Sequence, residues 1–528
     1  MNKYIKSALA LTLATVTLTG CDDYLDTMPD NRATLDSEAK IKSMLVSAYP
    51  TKEFAWVNEL SSDNVDDVGV LYPYTNRWMD DTFAWKDESE DTNESLNDYW
   101  EASYVCIASA NEALAAIEEL GGEDASSTLA QLKGEALLCR AYNHFALANL
   151  FCKHWTQNAA QDLGLPYMDH PETQLLPKYE RGNLADFYAK IEKDIVDGVA
   201  LVGDSYYDVP KYHFNQKAAY AFAARFYLFT EQWEKAIEFA NKVLGSEPKT
   251  MLRDWTTFAS LPVNGSAPVL ENAYIETTQN CNLLLQTAYS RIGVALSRYS
   301  NYGRYAHCNY IATNEDIYVT QVWGGMLRSG VVSVYSGSMD KTFIRKTSYL
   351  FEYTDPVAGI GYAHTVLPIF KADETLLVRA EAYTMLRRYD EAAADLTLWA
   401  RNISTTTKTL TPELITTFYN GKNYSYEDDD HMLSTMKKHL NPSFSIDAEG
   451  STQECMLQCV LAFRRIENLS EGLRWFDIKR YGIEIPRRVM NTAGKPDHIT
   501  DVLSKDDLRR VYQIPQKVRD AELEANPR

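Results

Sequence analysis

Two stretches of the chain, 217–248 and 371–402, repeat one spacing of aromatic and small residues. The matching residues are Tyr227, Trp233, Ala236 and Ala240 in the first stretch, and Tyr383, Tyr389, Ala392 and Leu396 in the second. In each stretch, apolar residues recur at helical spacing on both sides of a short turn, Thr230–Gln232 or Arg387–Asp390. The pattern predicts two helix pairs, in which a small residue in the second helix allows the first helix to approach closely.

This spacing resembles the tetratricopeptide repeat (TPR), whose unit is a pair of antiparallel helices. A single pair cannot bury its own apolar face, so further pairs are expected to stack against these two. Helical periodicity predicts pairs at about 95–155, 184–246, 371–402 and 454–482. The predicted fold class is mainly α: a scaffold of about four TPR-like helix pairs, interrupted by irregular loops and short strands. Two unrelated helical hairpins are the alternative interpretation of the shared spacing.

The first residues are typical of a targeting segment. Two lysines precede an apolar run, Ala8–Leu18, which is too short to span a bilayer. The run ends in Leu18-Thr19-Gly20-Cys21, which resembles the lipobox of bacterial lipoproteins, where the peptide is cleaved before the cysteine and the cysteine is acylated. We predict a lipoprotein signal peptide at 1–20, a lipid anchor on Cys21 and a flexible tether at 21–36. An ordinary secretion signal with a chance cysteine is the alternative.

Charge and motifs exclude several functions. A formal net charge of −21 opposes binding to nucleic acid, which requires a basic surface. The sequence contains no GxSxG, HExxH or phosphate-loop motif, so no enzymatic activity is predicted. A glycoside hydrolase is the less favoured alternative, because it needs only two carboxyl groups and the chain has acidic pairs such as Asp66-Asp67 and Asp80-Asp81. The seven cysteines after Cys21 lack metal-ligand spacing and are expected to be buried. No metal or other cofactor is predicted; calcium is possible at Glu427–Asp430, but the EF-hand spacing is absent and a solvated loop is favoured.

Two regions combine aromatic rings with polar side chains. Sugar binding requires this combination, because a flat ring packs against the apolar face of a pyranose while polar groups bond its hydroxyls. The first region is a loop between Asp63 and Glu94, and the second is an insertion at about 250–368, where short strands such as Val331–Tyr335 are expected. The predicted ligand-binding residues are Tyr72, Tyr74, Asn76, Arg77, Trp78, Asp81 and Trp85 in the first region, and Tyr299, Tyr302, Arg304 and Tyr305 in the second.

For each of these rings, burial under a loop is the alternative to ligand contact. If the rings are contacts, replacement of Trp78 or Tyr302 by alanine should abolish binding without unfolding the protein.

The segment Glu471–Gly482 carries the most specific motif. It reads EGLRWFDIKRYG and is close to the pattern E-G-x-R-W-F-D-x-K-R-x-G of the SusD/RagB family, the outer-membrane nutrient-binding lipoproteins of Bacteroidetes. The opening at Cys21–Asp26, the helix-pair segment Arg379–Tyr383 and the chain's ending also resemble this family. The likeness covers nearly the whole chain after residue 20, and residues 37–528 are expected to form one domain. The motif itself is predicted to be structural, with its rings packed inward and its ions paired near the C-terminus of the chain.

This resemblance implies a function, a partner and a location. It implies a non-catalytic oligosaccharide-binding lipoprotein at the cell surface, anchored to the outer membrane through Cys21. It also implies a SusC-like TonB-dependent transporter as the partner to which the glycan is delivered. Some members of the family carry peptides, so a peptide or another nutrient is the alternative cargo.

Overall fold

The computed structural model describes residues 34–90, 92, 94–174, 177–262, 268–296, 303–334 and 341–528. Within them, Ser37–Arg528 forms one compact unit. The predicted lipidation site Cys21 and the predicted ligand contacts Tyr299 and Tyr302 lie outside the described residues.

Helices dominate the described part of the chain, which confirms the mainly α fold class. They are α1 (Glu38–Leu45), α2 (Ala55–Ser61), α3 (Arg77–Phe83), α4 (Leu96–Glu119), α5 (Ser127–Phe151), α6 (Leu184–Leu201), α7 (Gln216–Phe229), α8 (Trp233–Leu244), α9 (Trp255–Ser260), α10 (Val269–Tyr274), α11 (Ile292–Ala295), α12 (Asn309–Asn314), α13 (Ala372–Met385), α14 (Tyr389–Ile403), α15 (Pro412–Asn420), α16 (Thr452–Glu467), α17 (Leu473–Tyr481) and α18 (Gln516–Asp520). Among these described helices, none combines the length and the apolar character needed to cross a membrane.

Short strands form three small sheets in the described residues. They are β1 (Asp66–Asp67), β2 (Asn282–Ala288), β3 (Tyr305–Ala306), β4 (Val332–Val334), β5 (Thr342–Ile344), β6 (Leu350–Asp355), β7 (Ile360–Lys371), β8 (Ile485–Met490) and β9 (Pro496–Leu503). One sheet has the order β3-β1-β8-β9, the second has the order β2-β7-β6, and β4 pairs with β5. Strand β4 lies inside the predicted strand at 331–335. The first sheet joins three distant parts of the sequence, because β1 pairs antiparallel with β3 and parallel with β8.

The two stretches with shared spacing fold as the predicted helix pairs, α7–α8 and α13–α14. In each pair the residue four positions after the shared tyrosine is left-handed, with φ of 59° at Glu231 and 57° at Arg387. The N–H of the next residue donates to the carbonyl of the shared tyrosine, at 2.9 Å for Tyr227 and 2.8 Å for Tyr383. This arrangement is a Schellman motif, which satisfies carbonyl groups left unpaired at a helix end. The repeated spacing therefore corresponds to repeated backbone geometry.

In the other predicted pairs, some helices pack against helices other than their predicted partners. Helices α4 and α5 form the first pair, as expected. Three helices occur at 184–246 rather than two: α6 packs against α5, and α7 pairs with α8. Helix α16 packs against α15 and α13, whereas α17 lies against α2.

An aromatic cluster fills the space between α5, α7 and β7. The ring centre of Tyr142 lies 5.8 Å from that of Phe222 and 5.7 Å from that of Phe370, both in edge-to-face contact. Phe145 packs against Phe222 at 5.6 Å from the other side. The seven described cysteines are all buried and unpaired, which confirms that they are packing residues.

The Glu471–Gly482 motif forms helix α17, which is buried, and its two large rings lie inside as predicted. Its ions pair elsewhere than expected. Arg474 donates to both carboxylate oxygens of Asp63 at 2.8 Å, and Asp477 accepts from Arg464 of α16 at 2.9 and 3.1 Å. Arg474 therefore pairs with a residue near the start of the compact unit and not near the C-terminus of the chain, whereas Asp477 pairs with a residue only 13 positions before it.

A glycine sets the contact between α17 and α2. Gly472 has φ of 76°, and a Cβ atom at this position would lie 2.6 Å from the Cα of Ala55. The carbonyl of Gly472 accepts from the side-chain amide of Asn58 at 2.9 Å. A residue without a side chain is therefore required for α17 to meet α2 at this distance.

Candidate functional site

The two aromatic regions predicted from the sequence lie side by side. Strand β1, in the first region, pairs with β3, in the second, and places Asp67 opposite Tyr305. Farther along, Tyr74 forms a bridge with Gly303, and the N–H of Arg304 donates to the carbonyl of Tyr74 at 2.9 Å. Because main-chain bonds join the two regions, their side chains share one edge of the protein. We call this edge the β1–β3 edge; it is formed by Asp66–Asp67 of β1 and by residues 72–81 and 303–305.

A guanidinium group is held rigidly at the β1–β3 edge. Arg304 donates from Nε to Asp67 at 2.9 and 3.0 Å, and from Nη2 to the same carboxylate at 2.7 Å. Its Nη1 atom lies 3.8 Å from Asp80, which also accepts a hydrogen bond from the hydroxyl of Tyr305. The hydrogen bonds to Asp67 raise the pKa of Arg304 above its already high usual value. Burial and the bond to Asp80 raise the pKa of Tyr305 in turn. The edge therefore presents a fixed positive charge at physiological pH, and the phenol of Tyr305, which is itself buried, stays neutral beneath it.

Five of the predicted ligand residues are accessible. Tyr74 is 65% exposed, and the side chain of Arg304 is 37% exposed. Asn76 and Arg77 are also exposed, and Asp81 is half-buried and accepts a hydrogen bond from the hydroxyl of Ser89 at 2.6 Å. The side chain of Asn76 caps α3 by accepting from the N–H of Met79 at 3.2 Å. One aromatic ring and several hydrogen-bonding groups are thus available to a ligand.

Four predicted contacts are buried, and this corrects the sequence interpretation. Trp78 is 2% exposed and packs edge-to-face on Trp56, with 4.8 Å between ring centres. Trp85 donates its indole N–H to the carbonyl of Ser61 at 2.9 Å. Tyr305 stacks on Phe83 at 4.2 Å, and Tyr72 lies in a small apolar cluster beneath the edge. Trp78 is buried because it lies in helix α3, which the sequence analysis did not predict and which turns this ring inward.

Arginine side chains hold the two carboxylates of β1. Asp67 is buried by its contact with Arg304, and Asp66 accepts from Arg488 at 2.9 Å. Lys341 was not predicted; its Nζ donates to the carbonyl of Gly303 at 2.7 Å and lies 4.7 Å from the ring centre of Tyr72. The pair Asp66-Asp67 beside a loop is the sequence pattern from which the role of Asp67 could have been predicted, whereas no local pattern indicates a role for Lys341.

A second set of exposed rings lies on the β6–β7 hairpin. Tyr353 and Tyr362 are 58% and 60% exposed, and Phe351, Val357 and Ile360 of the same hairpin are exposed as well. The rings of Phe351 and Tyr353 meet at 67°, so they do not form one flat face. These rings were not predicted as ligand contacts.

The described residues contain no group of three or more His, Cys, Asp or Glu side chains arranged to hold a metal ion. In the acidic run at 427–430, Asp428 accepts from the N–H groups of Met432 and Leu433 at 3.0 Å, as a turn-forming aspartate does.

Comparison with known proteins gives a consistent picture. The family model SusD-like_3, described as starch-binding and associating with the outer membrane, matches residues 23–228. No curated protein matches the chain. A SusD superfamily protein of Bacteroides thetaiotaomicron is similar in structure, with a TM-score of 0.61 and 17% identity over 94% of this chain and 100% of its own.

Two further solved structures are similar. A SusD-like carbohydrate-binding protein of Bacteroides vulgatus has a TM-score of 0.56 and 14% identity, over 92% of this chain and 96% of its own. A laminarin-binding SusD-like protein has a TM-score of 0.54 and 13% identity, over 93% of this chain and 99% of its own. At these identities the likeness demonstrates a shared fold over the whole length.

Proposed function

Taking the chain as a member of the SusD-like family, whose model matches residues 23–228 and whose fold it has, we propose that it is a cell-surface lipoprotein that captures an oligosaccharide without cleaving it. In this proposal Cys21 carries the lipid anchor, and the bound glycan passes to a SusC-like TonB-dependent transporter in the outer membrane. The carbohydrate-binding and laminarin-binding proteins of the same fold support a sugar as the cargo.

The observation that carries the proposal is the pairing of Tyr74 with Arg304 at the β1–β3 edge. The exposed ring of Tyr74 offers a flat apolar face. The main chain of Arg304 is bonded to that of Tyr74, and its guanidinium is held in place by Asp67 and Asp80. A pyranose ring needs an apolar surface for its C–H groups and oriented donors for its hydroxyls. Because Arg304 is fixed before the ligand arrives, little side-chain entropy is lost when it binds.

The same geometry supports capture without cleavage. A glycoside hydrolase needs one carboxyl group that keeps its proton and a second carboxylate near it. At the β1–β3 edge, Asp67 and Asp80 both lie within ion-pair distance of Arg304. Both carboxylates therefore orient the guanidinium group as a donor for a ligand.

Replacement of Tyr74 by alanine tests the site. We expect wild-type protein to bind at least one glycan from a panel of laminarin, starch, xylan and mannan, with a Kd of roughly 10 μM to 1 mM, because an open edge buries little area. Tyr74→Ala should weaken that binding by about tenfold or more, since loss of one stacked ring costs roughly 1–3 kcal/mol. Isothermal titration measures both values.

Tyr353→Ala is the matched control, because Tyr353 is also a highly exposed tyrosine but lies on the β6–β7 hairpin. The control should bind as the wild type does. Equal binding by Tyr74→Ala and wild type would reject the site. Binding of a lysine-rich peptide, and of no glycan in the panel, would reject a sugar as the cargo.

A further inference from the structure

A crevice opens behind the β1–β3 edge. Its enclosed volume is about 30 Å³, which is room for one or two water molecules, so it suits a single hydroxyl group and not a length of oligosaccharide. The polar residues that line it include Glu59, His307, Lys341 and Thr342, and Ala306 of β3 forms part of its wall. Lys341 connects the crevice to the edge, since its Nζ donates to Gly303, the neighbour of Arg304.

His307 presents a hydrogen-bonding atom that no protein group uses. The residue is 8% exposed, and its Nε2 atom lies 2.9 Å from the carboxylate of Asp316, which is also buried. A carboxylate accepts, so Nε2 carries a proton, and in a neutral imidazole with that tautomer the other ring nitrogen, Nδ1, is an acceptor. Nδ1 is buried and has no hydrogen-bond partner in the described protein. A buried lone pair of this kind requires a donor, either an ordered water or a ligand.

Thr342 adds a second unsatisfied group next to the first. It is 2% exposed, and its Oγ1 atom is buried without a partner in the described residues. The N–H of Thr342 donates to the carbonyl of His307 at 2.8 Å, so the two residues are cross-strand neighbours. By contrast, both carboxylate oxygens of Glu59 have protein partners. One accepts from the side-chain amide of Asn64 at 2.8 Å, and the other accepts from the N–H of Gly472 at 3.0 Å.

The chemistry of the crevice selects for a hydroxyl group. Nδ1 of His307 accepts a hydrogen bond, and the hydroxyl of Thr342 both donates and accepts. The ammonium group of Lys341 lines the same space and opposes a metal cation. Burial lowers the pKa of Lys341 to about 8, so the group remains mostly charged at neutral pH. An alcohol can donate to Nδ1 of His307 and accept from the hydroxyl of Thr342, so one hydroxyl group satisfies both.

We propose that the crevice is a subsite that receives a hydroxyl group of the glycan bound at the β1–β3 edge, with His307 as its acceptor and Thr342 as its second partner. This inference rests on the proposed function. Asp316 acts through His307 by fixing its tautomer, and so it is a positioning residue.

The test uses two variants that preserve the fold. Thr342→Val keeps the shape of the side chain and removes the hydroxyl. His307→Gln places an amide nitrogen near the position of Nε2, so that donation to Asp316 is retained while Nδ1 is lost. Thr347→Val is the matched control, because the hydroxyl of Thr347 is also buried and unpartnered but Thr347 does not line the crevice.

Each variant is titrated calorimetrically against the laminarin, starch, xylan and mannan panel, and its unfolding midpoint is measured. We expect Thr342→Val and His307→Gln to bind the wild-type glycan about threefold to tenfold more weakly. Thr342→Val should be as stable as wild type or more stable, because an unsatisfied buried hydroxyl is removed. Thr347→Val should share that stability and bind normally.

The outcomes separate the two proposals. If wild type binds a glycan and both crevice variants bind it equally well, water alone fills the crevice and the subsite is rejected, while the proposed function stands. If wild type binds no member of the panel, the proposed function fails and the subsite fails with it.

Discussion

Trp78 and Tyr74 lie four residues apart, and their replacement should have opposite consequences. Trp78 is 2% exposed and packs on Trp56 of α2, so Trp78→Ala empties a core position. Core tryptophan-to-alanine changes cost about 3–5 kcal/mol, including roughly 0.5–1.5 kcal/mol for the lost aromatic pair. Tyr74 is 65% exposed, and Tyr74→Ala should change the free energy of unfolding by less than about 0.5 kcal/mol.

Urea denaturation followed by circular dichroism measures stability, and titration with the glycan bound by wild type measures affinity. Trp78→Ala should lower the unfolding midpoint and, at temperatures where it remains folded, bind the glycan with near-native affinity. Tyr74→Ala should show the reverse. Loss of binding by a Trp78→Ala protein of undiminished stability would show that this ring contacts the ligand, and would refute the assignment of Trp78 to the core.

Two further perturbations test the buried charges. Arg474→Met should lower the free energy of unfolding in urea by about 3–5 kcal/mol, because it removes the bidentate partner of the buried Asp63 carboxylate and leaves the more distant Arg465, at 3.5 Å. A loss below about 1 kcal/mol would contradict this. Burial, and then the charge of Glu53, raise the pKa of Glu94 from 4.5 to about 7. The folded protein thus binds the Glu94 proton more tightly than the unfolded chain does, and wild type should lose stability relative to Glu94→Gln as the pH rises from about 4.5 to about 7. Parallel stability curves for the two proteins over that range would contradict the assignment.

The helix pairs could be predicted because their determinants are local. The aromatic and alanine spacing of α7–α8 recurs in α13–α14, and even the left-handed residue that ends each first helix falls at the same offset. The sequence Thr411-Pro412 is likewise typical of a helix start, and α15 begins there, where the side chain of Thr411 accepts from the N–H of Leu414 at 3.2 Å.

Burial of the site residues could not be predicted in the same way. Tyr74 and Trp78 belong to one aromatic-rich segment, and only the cap at Asn76 and the helix that follows decide which ring turns inward. A signal was present: Trp78 and Thr82, and Met79 and Phe83, repeat at helical spacing. The partners of Arg304 and Arg474 depend on tertiary contact and leave no pattern in the neighbouring sequence.

The contacts of α17 with α2 and its following loop constrain the order in which the protein can be completed. Arg474 binds Asp63, Gly472 accepts from Asn58, and Arg487 of β8 donates to the carbonyls of Leu60, Ser61 and Ser62. The segment at 58–63 therefore cannot form these contacts until residues more than four hundred positions later have been synthesised. Pairings of such sequence separation form slowly and only after a large loop is closed. A chain that emerges from its N-terminus thus stays incomplete until nearly all of it has appeared.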